Sequence, residues 1–176
     1  MKKGFTMIEL IFVIVILGIL ASVAIPRLAG TRTDAEISAT VANIRALISD
    51  AASYYAVKGK FAGAKWSDVT NVSIRQGDYR KPASDFRVNQ DVYLTTGGKN
   101  CILVRLKDKG GNIPVAFIQI AKVDANVNEP ICKEILAAAP IRAYLDATVP
   151  GVPREGNAPG DRPGVIPVSS SISIHE

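Results

Sequence analysis

The chain has 176 residues, a formal net charge of +5, 48% hydrophobic residues and 21% charged residues. This hydrophobic share excludes a disordered polyelectrolyte, and the length suits one globular domain with some chain to spare. One histidine, His175, and two cysteines are too few ligands for a zinc site and poor material for a histidine-based triad.

The first element is apolar. The sequence opens Met1-Lys2-Lys3-Gly4-Phe5-Thr6-Met7-Ile8-Glu9, and from Leu10 to Ile25 sixteen residues carry no charge. Twelve of those sixteen are Leu, Ile, Val or Phe. Counted from Phe5 the run is 21 residues, or ~31 Å of helix, enough to cross a bilayer core. On the insertion scale the twelve residues contribute roughly −4 to −7 kcal/mol, while Glu9 costs at most about +3 kcal/mol. Insertion therefore wins. Lys2 and Lys3 precede the run and Arg27 follows it. The positive-inside rule then weakly places Met1–Lys3 in the cytoplasm and the rest outside.

Glu9 is the odd residue. A carboxylate one turn into an apolar helix is a functional candidate by default. No cation follows until Arg27. An α-amino group created by a cut before Phe5 would be the nearest one, and Phe5 and Glu9 share a helix face at i, i+4. Two other processing routes leave Glu9 without a use. One is an ordinary signal peptide, with Ser22-Val23-Ala24 as a small-residue cleavage site that releases a soluble secreted domain. The other is an uncleaved signal anchor holding a non-polymerising binding domain.

Lys2-Lys3-Gly4-Phe5-Thr6-Met7-Ile8-Glu9, the long Leu/Ile/Val run and Pro26 resemble the amino terminus of type IV pilins and type II secretion pseudopilins. The resemblance covers residues 1–26 closely and the helix to about Lys58 more loosely. It implies cleavage after Gly4, N-methylation of Phe5 and Glu9 as the assembly glutamate, neutralising the terminal amine of a neighbouring subunit. It implies as partners further copies and other pilin-like subunits, a prepilin peptidase that is also the N-methyltransferase, an inner-membrane assembly platform, and membrane lipid before assembly. It implies no cofactor and no enzymatic activity. It places the chain in the bacterial inner membrane as a single-pass protein with its carboxyl-terminal domain in the periplasm, then in a surface or periplasm-spanning filament.

Pro26 lacks an N–H, so a bend is expected there without an end to the helix. Ile37, Val41, Ile44, Ile48, Ala51 and Tyr55 then recur at spacings of 4, 3, 4, 3 and 4, one apolar stripe widened by Leu47 and Tyr54. Lys58-Gly59-Lys60 is a stop signal. Residues 60 to 90 read as an irregular connection. Asp91–Thr96, Cys101–Lys107 and Ile113–Lys122 are strand candidates, with a hairpin turn at Asp108-Lys109-Gly110-Gly111-Asn112. Pro130 to Leu136 reads as a short helix ended before Pro140. Residues 150–176 carry five of the ten prolines and read as an extended surface segment, with Val165-Ile166 and Ile172–Ile174 as material for a last strand.

The expected fold is α+β: a long helix, half transmembrane and half amphipathic, packed on an antiparallel sheet. The divisions are a leader at 1–4, a core helix at 5–25, its amphipathic half at 26–59, a β domain at 60–150 and the Pro/Gly-rich segment at 151–176. Cys101 and Cys132 both fall outside the membrane, where one disulfide is the natural reading.

Other chemistry is sparse. Asp124, Asn126 and Asn128 have the alternate spacing of a calcium loop, but Glu129 stands where Gly is needed and Ile135 where the bidentate Glu belongs. An EF-hand is excluded, and no metal site is assigned. There is no P-loop or dinucleotide fingerprint. Residues 60–107 hold nine Lys plus Arg against four Asp, with Trp66, Tyr79 and Tyr93 as aromatic neighbours. DNA is a conceivable partner of such a surface, but no basic run is clustered in sequence, and an ordinary solvated face is the preferred reading.

Overall fold

The computed structural model describes residues 6–76, 87–88, 90–111, 113–153 and 161–168; the side chains of residues 24–29, 31 and 161 are outside that description. The chain divides into two units, residues 1–35 and 36–176. Helix α1, Met7–Lys58, contributes to both.

In the first unit α1 carries no charged residue from Leu10 to Ile25, and every described large hydrophobic from Met7 to Val23 is exposed. The helical backbone continues through Pro26. A proline costs one backbone bond and leaves a helix intact where the flanking turns hold it. The expected bend rests on the proline chemistry alone.

The second unit is an α+β domain built on the amphipathic part of α1. Val41, Ile44, Leu47 and Ala51 are buried, while Ile37, Ile48, Tyr54 and Tyr55 pack at the margin. The stripe read from the sequence is therefore the core face, with its centre at Ile44 and Leu47. Burying a side chain such as Ile44 contributes about 1.5–3 kcal/mol. The helix stops where the sequence places its stop: Gly59 takes φ 69° and its N–H bonds to the Tyr55 carbonyl.

A four-stranded antiparallel sheet lies against that face, in the order β1 (Val92–Thr96), β2 (Lys99–Lys107), β3 (Phe117–Lys122), β6 (Val165–Pro167). Ile102, Val104 and Leu106 of β2 and Ile118 and Ile120 of β3 alternate into the core. The tight β1–β2 turn uses Gly97 and Gly98, both at positive φ. Strand β3 starts at Phe117, four residues later than expected. Ile113 is taken by the hairpin, where it exchanges backbone hydrogen bonds with Gly110, and Pro114 has no N–H to give a ladder. Strand β2 starts earlier, at Lys99.

Around this frame lie smaller elements. Helix α2 (Trp66–Val69) buries Trp66 and Val69 within the stretch expected to be irregular. Helix α3 (Pro130–Ala137) matches the short helix read from the sequence. Helix α4 (Ala139–Leu145) follows it, with Pro140 in the first turn rather than as a terminator. Strands β4 (Thr148–Pro153) and β5 (Asp161–Pro163) form a second, two-stranded sheet within the proline-rich segment, and β4 runs across position 150. Val152 of β4 joins Val115, Phe117 and Val165 in a satellite core. Gly164 links β5 to β6 at φ 71°; a Cβ there would overlap the Ile120 carbonyl oxygen. The Val165-Ile166 strand is present as β6; Ile172–Ile174 lies outside the described residues.

Candidate functional site

The first described residue, Thr6, stands at the head of α1. Four N–H groups at a helix start have no partner within the helix, and the helix dipole makes that end positive. Thr6 and Glu9 answer both demands. The Glu9 carboxylate oxygen Oε2 accepts from the Thr6 backbone N–H at 2.9 Å and from the Thr6 hydroxyl at 2.7 Å. The Glu9 N–H in turn donates to Thr6 Oγ1 at 3.4 Å. This reciprocal pair is a capping box. It gives Glu9 a local partner that the sequence reading, looking only for a cation, did not identify. The signal was present as Thr6-x-x-Glu9 before an apolar run.

The box leaves Glu9 oriented toward the start of the chain. Gly4 and Phe5, the expected processing residues, lie outside the described residues. Downstream of the box, the side chains from Met7 to Val23 offer one continuous apolar surface on all sides, with Met7 at 81% and Leu20 at 63% exposed. Within this stretch the other polar side chain, Ser22, turns its hydroxyl back onto the Ile19 carbonyl at 2.8 Å. Its hydrogen bond is thus satisfied inside the helix. Among the described residues no helix is long and apolar enough to cross a membrane. The apolar stretch with described side chains ends at Val23, ~25 Å of helix from Met7 against the roughly 30 Å of a bilayer core.

The two cysteines meet. Cys101 at the start of β2 and Cys132 on α3 form a disulfide with Cα atoms 5.1 Å apart, and both residues are fully buried. The bond ties α3 to the sheet, beside Ile131, which packs over Gly97 in the β1–β2 turn. Two of the calcium-like trio are engaged with other groups. Asn126 donates to the Asn100 carbonyl at 2.8 Å and Asp124 pairs with Lys122 at 3.6 Å. Among the described residues no group of His, Cys, Asp and Glu could hold a metal. Of the aromatics, Trp66 is buried at 1% exposure and gives its Nε1–H to the Gln90 carbonyl. Tyr93 is half-buried and its backbone is bridged to Arg75. Tyr79 and His175 lie outside the described residues.

Residues 1–25 match the family model of the prokaryotic N-terminal methylation motif, the signature of type IV pilins and pseudopilins. The match spans the capping box and the exposed apolar helix and ends before the folded domain. No curated protein and no solved structure matches the chain.

Proposed function

We propose that this chain is a structural subunit of a filament of the type IV pilus or type II secretion pseudopilus class. The observation that carries this reading is a helix exposed and apolar on every side, headed by the Thr6–Glu9 box and lying within a methylation motif. A surface of this kind is stable only in lipid or against like helices.

The physical sequence runs as follows. Leu10 to Ile25 store the precursor in the inner membrane, as a single span with the folded domain in the periplasm. Cleavage after Gly4 by a prepilin peptidase frees the amine of Phe5, which the same enzyme methylates. That amine lies one residue before the Thr6 N–H already bound to Glu9, so the carboxylate is held at the helix end where a neighbour's terminal charge must arrive. In low dielectric a cation–carboxylate pair is a strong register mark. Apolar contacts among helices form the filament core, with Pro26 as the bend. The disulfide-closed domain forms the coat. The chain acts by assembly and carries out no catalysis of its own.

Mass spectrometry and terminal sequencing of the protein purified from its native membranes test the reading. The expected start is N-methylated Phe5. A start at Ile25 would instead identify an ordinary secreted domain, and an intact Met1 an uncleaved signal anchor. For the role of Glu9, Glu9→Ala should insert and be cut normally yet assemble poorly. Wild-type filament yield from that variant would remove Glu9 from the mechanism.

A further inference from the structure

Several cations of the folded domain are neutralised in place. Lys99 pairs with Glu129 at 2.9 Å, Arg105 with Asp91, and Lys122 with Asp124. A different arrangement holds where β2 ends. The loop after α1 is pinned to the β2–β3 hairpin by Asp108, whose two carboxylate oxygens accept from the N–H groups of Phe61 and Ala62 at 2.7 and 2.9 Å. A backbone bridge then sets Lys65 opposite Arg87. Three segments far apart in sequence so bring Lys60, Lys65, Arg87, Lys107 and Lys109 to one end of the domain, all of them exposed. Among the described residues none of the five makes an ion pair. Among the described residues, the nearby carboxylates Asp68 and Asp108 are turned onto backbone amides.

Like charges directly opposite one another on paired strands are destabilising. Lys65 and Arg87 stand opposite one another at an isolated backbone bridge, where their like charges repel in the same sense, and a bound anion would relieve that repulsion. Between the segments lies a concavity of about 280 Å³, with Arg87 and Lys107 in its wall and Phe61, Val88 and Leu106 beneath them. We propose that this end of the domain is a docking surface for an acidic polysaccharide, a single-chain polymer that presents carboxylates at intervals. A guanidinium takes a carboxylate in two parallel hydrogen bonds, and the lysines supply point charges along the chain. Single-stranded nucleic acid binds by stacking its bases on exposed aromatic faces, and among the described residues the aromatics at this end, Phe61 and Trp66, are 2% and 1% exposed. A duplex is a convex rod that would ride over so small a hollow. The surface is independent of the filament reading, since no residue of the methylation motif takes part.

The test is binding of the full chain in non-ionic detergent to polygalacturonate, with neutral dextran and a short DNA duplex as comparison probes. Polygalacturonate should bind, dextran should not, and affinity should fall steeply between about 50 and about 200 mM salt. The Lys65→Gln/Arg87→Gln/Lys107→Gln variant should lose about tenfold or more in affinity, while Lys122→Gln, already paired with Asp124, should stay within about twofold. Thermal unfolding is recorded for each. If the triple variant melts early, Lys107→Gln alone is read, with a loss of about twofold to threefold expected. No binding of polygalacturonate, equal binding by the variant that keeps its fold, or tighter binding of the duplex would each overturn the assignment.

Discussion

Helix α1 contains the same residue type in two opposite situations. Ile14 in its first part is 57% exposed, and Ile44 in its second part is fully buried. Both stand in α-helix, so local propensity does not separate them. What differs is the spacing of their apolar neighbours. Around Ile44 hydrophobics recur every three or four residues, so one face is apolar and a sheet from the same chain can cover it. Around Ile14 they fill every position, and no single sheet can cover a cylinder. The second stretch is completed by its own chain, whereas the first is left exposed among the described residues and, on the proposed function, is covered by lipid or other helices.

The comparison breaks most visibly under truncation. Ile44→Ala should destabilise the domain by about 2–5 kcal/mol, through lost transfer energy and the cavity left behind. Trp66, the single tryptophan and 1% exposed, reports that unfolding by its fluorescence. Ile14→Ala should leave the same transition within about 0.5 kcal/mol. Equal losses from the two variants would mean that the first stretch also contributes to the domain's core.

Reducing the disulfide sharpens the contrast within the folded half. The chain between Cys101 and Cys132, with a sequence separation of 31, should lose about 3–4 kcal/mol on the chain-entropy account when opened. Reduced and oxidised protein unfolded in denaturant give the difference directly. A loss well under about 1 kcal/mol would mean that burial of the two sulfurs, and not loop closure, holds α3 in place.

How far the sequence could be read follows from which interactions are local. The stripe from Ile37 to Tyr55 and the strands around Ile102 and Ile118 were legible because each is a periodicity within one segment. The motif at Lys2 to Glu9 was legible because its residue types have few other uses in that order. Helix α4 is not legible in the sequence because Pro140 reads as a terminator, although its missing N–H costs nothing in a first turn. Strands β4 and β5 are not legible because Pro150, Pro153 and Pro163 read as loop, yet a small second sheet with open edges tolerates proline. Lys65, Arg87 and Lys107 form one surface only after the chain has folded, so no run of charge announced them. The Asp108 clamp is of the same kind, 47 residues from Phe61.

That clamp yields a smaller effect. Asp108→Ala leaves the Phe61 and Ala62 N–H groups without their charged acceptor, for an expected loss of about 2 kcal/mol. Ala62 is exposed and water can replace its bond, which keeps the figure below that of a fully buried pair. Asp108→Asn retains one carbonyl acceptor and should lose about half as much. If both variants unfold like the parent, the loop after α1 is held by Phe61 burial alone.

The smallest effect belongs to the head of α1, where everything is exposed. Thr6→Ala removes the hydroxyl that donates to Glu9 Oε2 and the oxygen that accepts the Glu9 N–H. The bond from the Thr6 backbone N–H to Glu9 remains. The domain transition reported by Trp66 should therefore be unchanged. Hydrogen exchange of the amides at the helix start should quicken in detergent, where water reaches that turn. On the proposed filament role, filament yield should fall between that of the parent and that of Glu9→Ala, because the carboxylate keeps its charge and loses only part of its orientation. An exchange pattern identical to the parent's would show that the backbone bond alone holds the box. A filament yield as poor as that of Glu9→Ala would show that, in the proposed assembly, the orientation of Glu9 matters more than its charge.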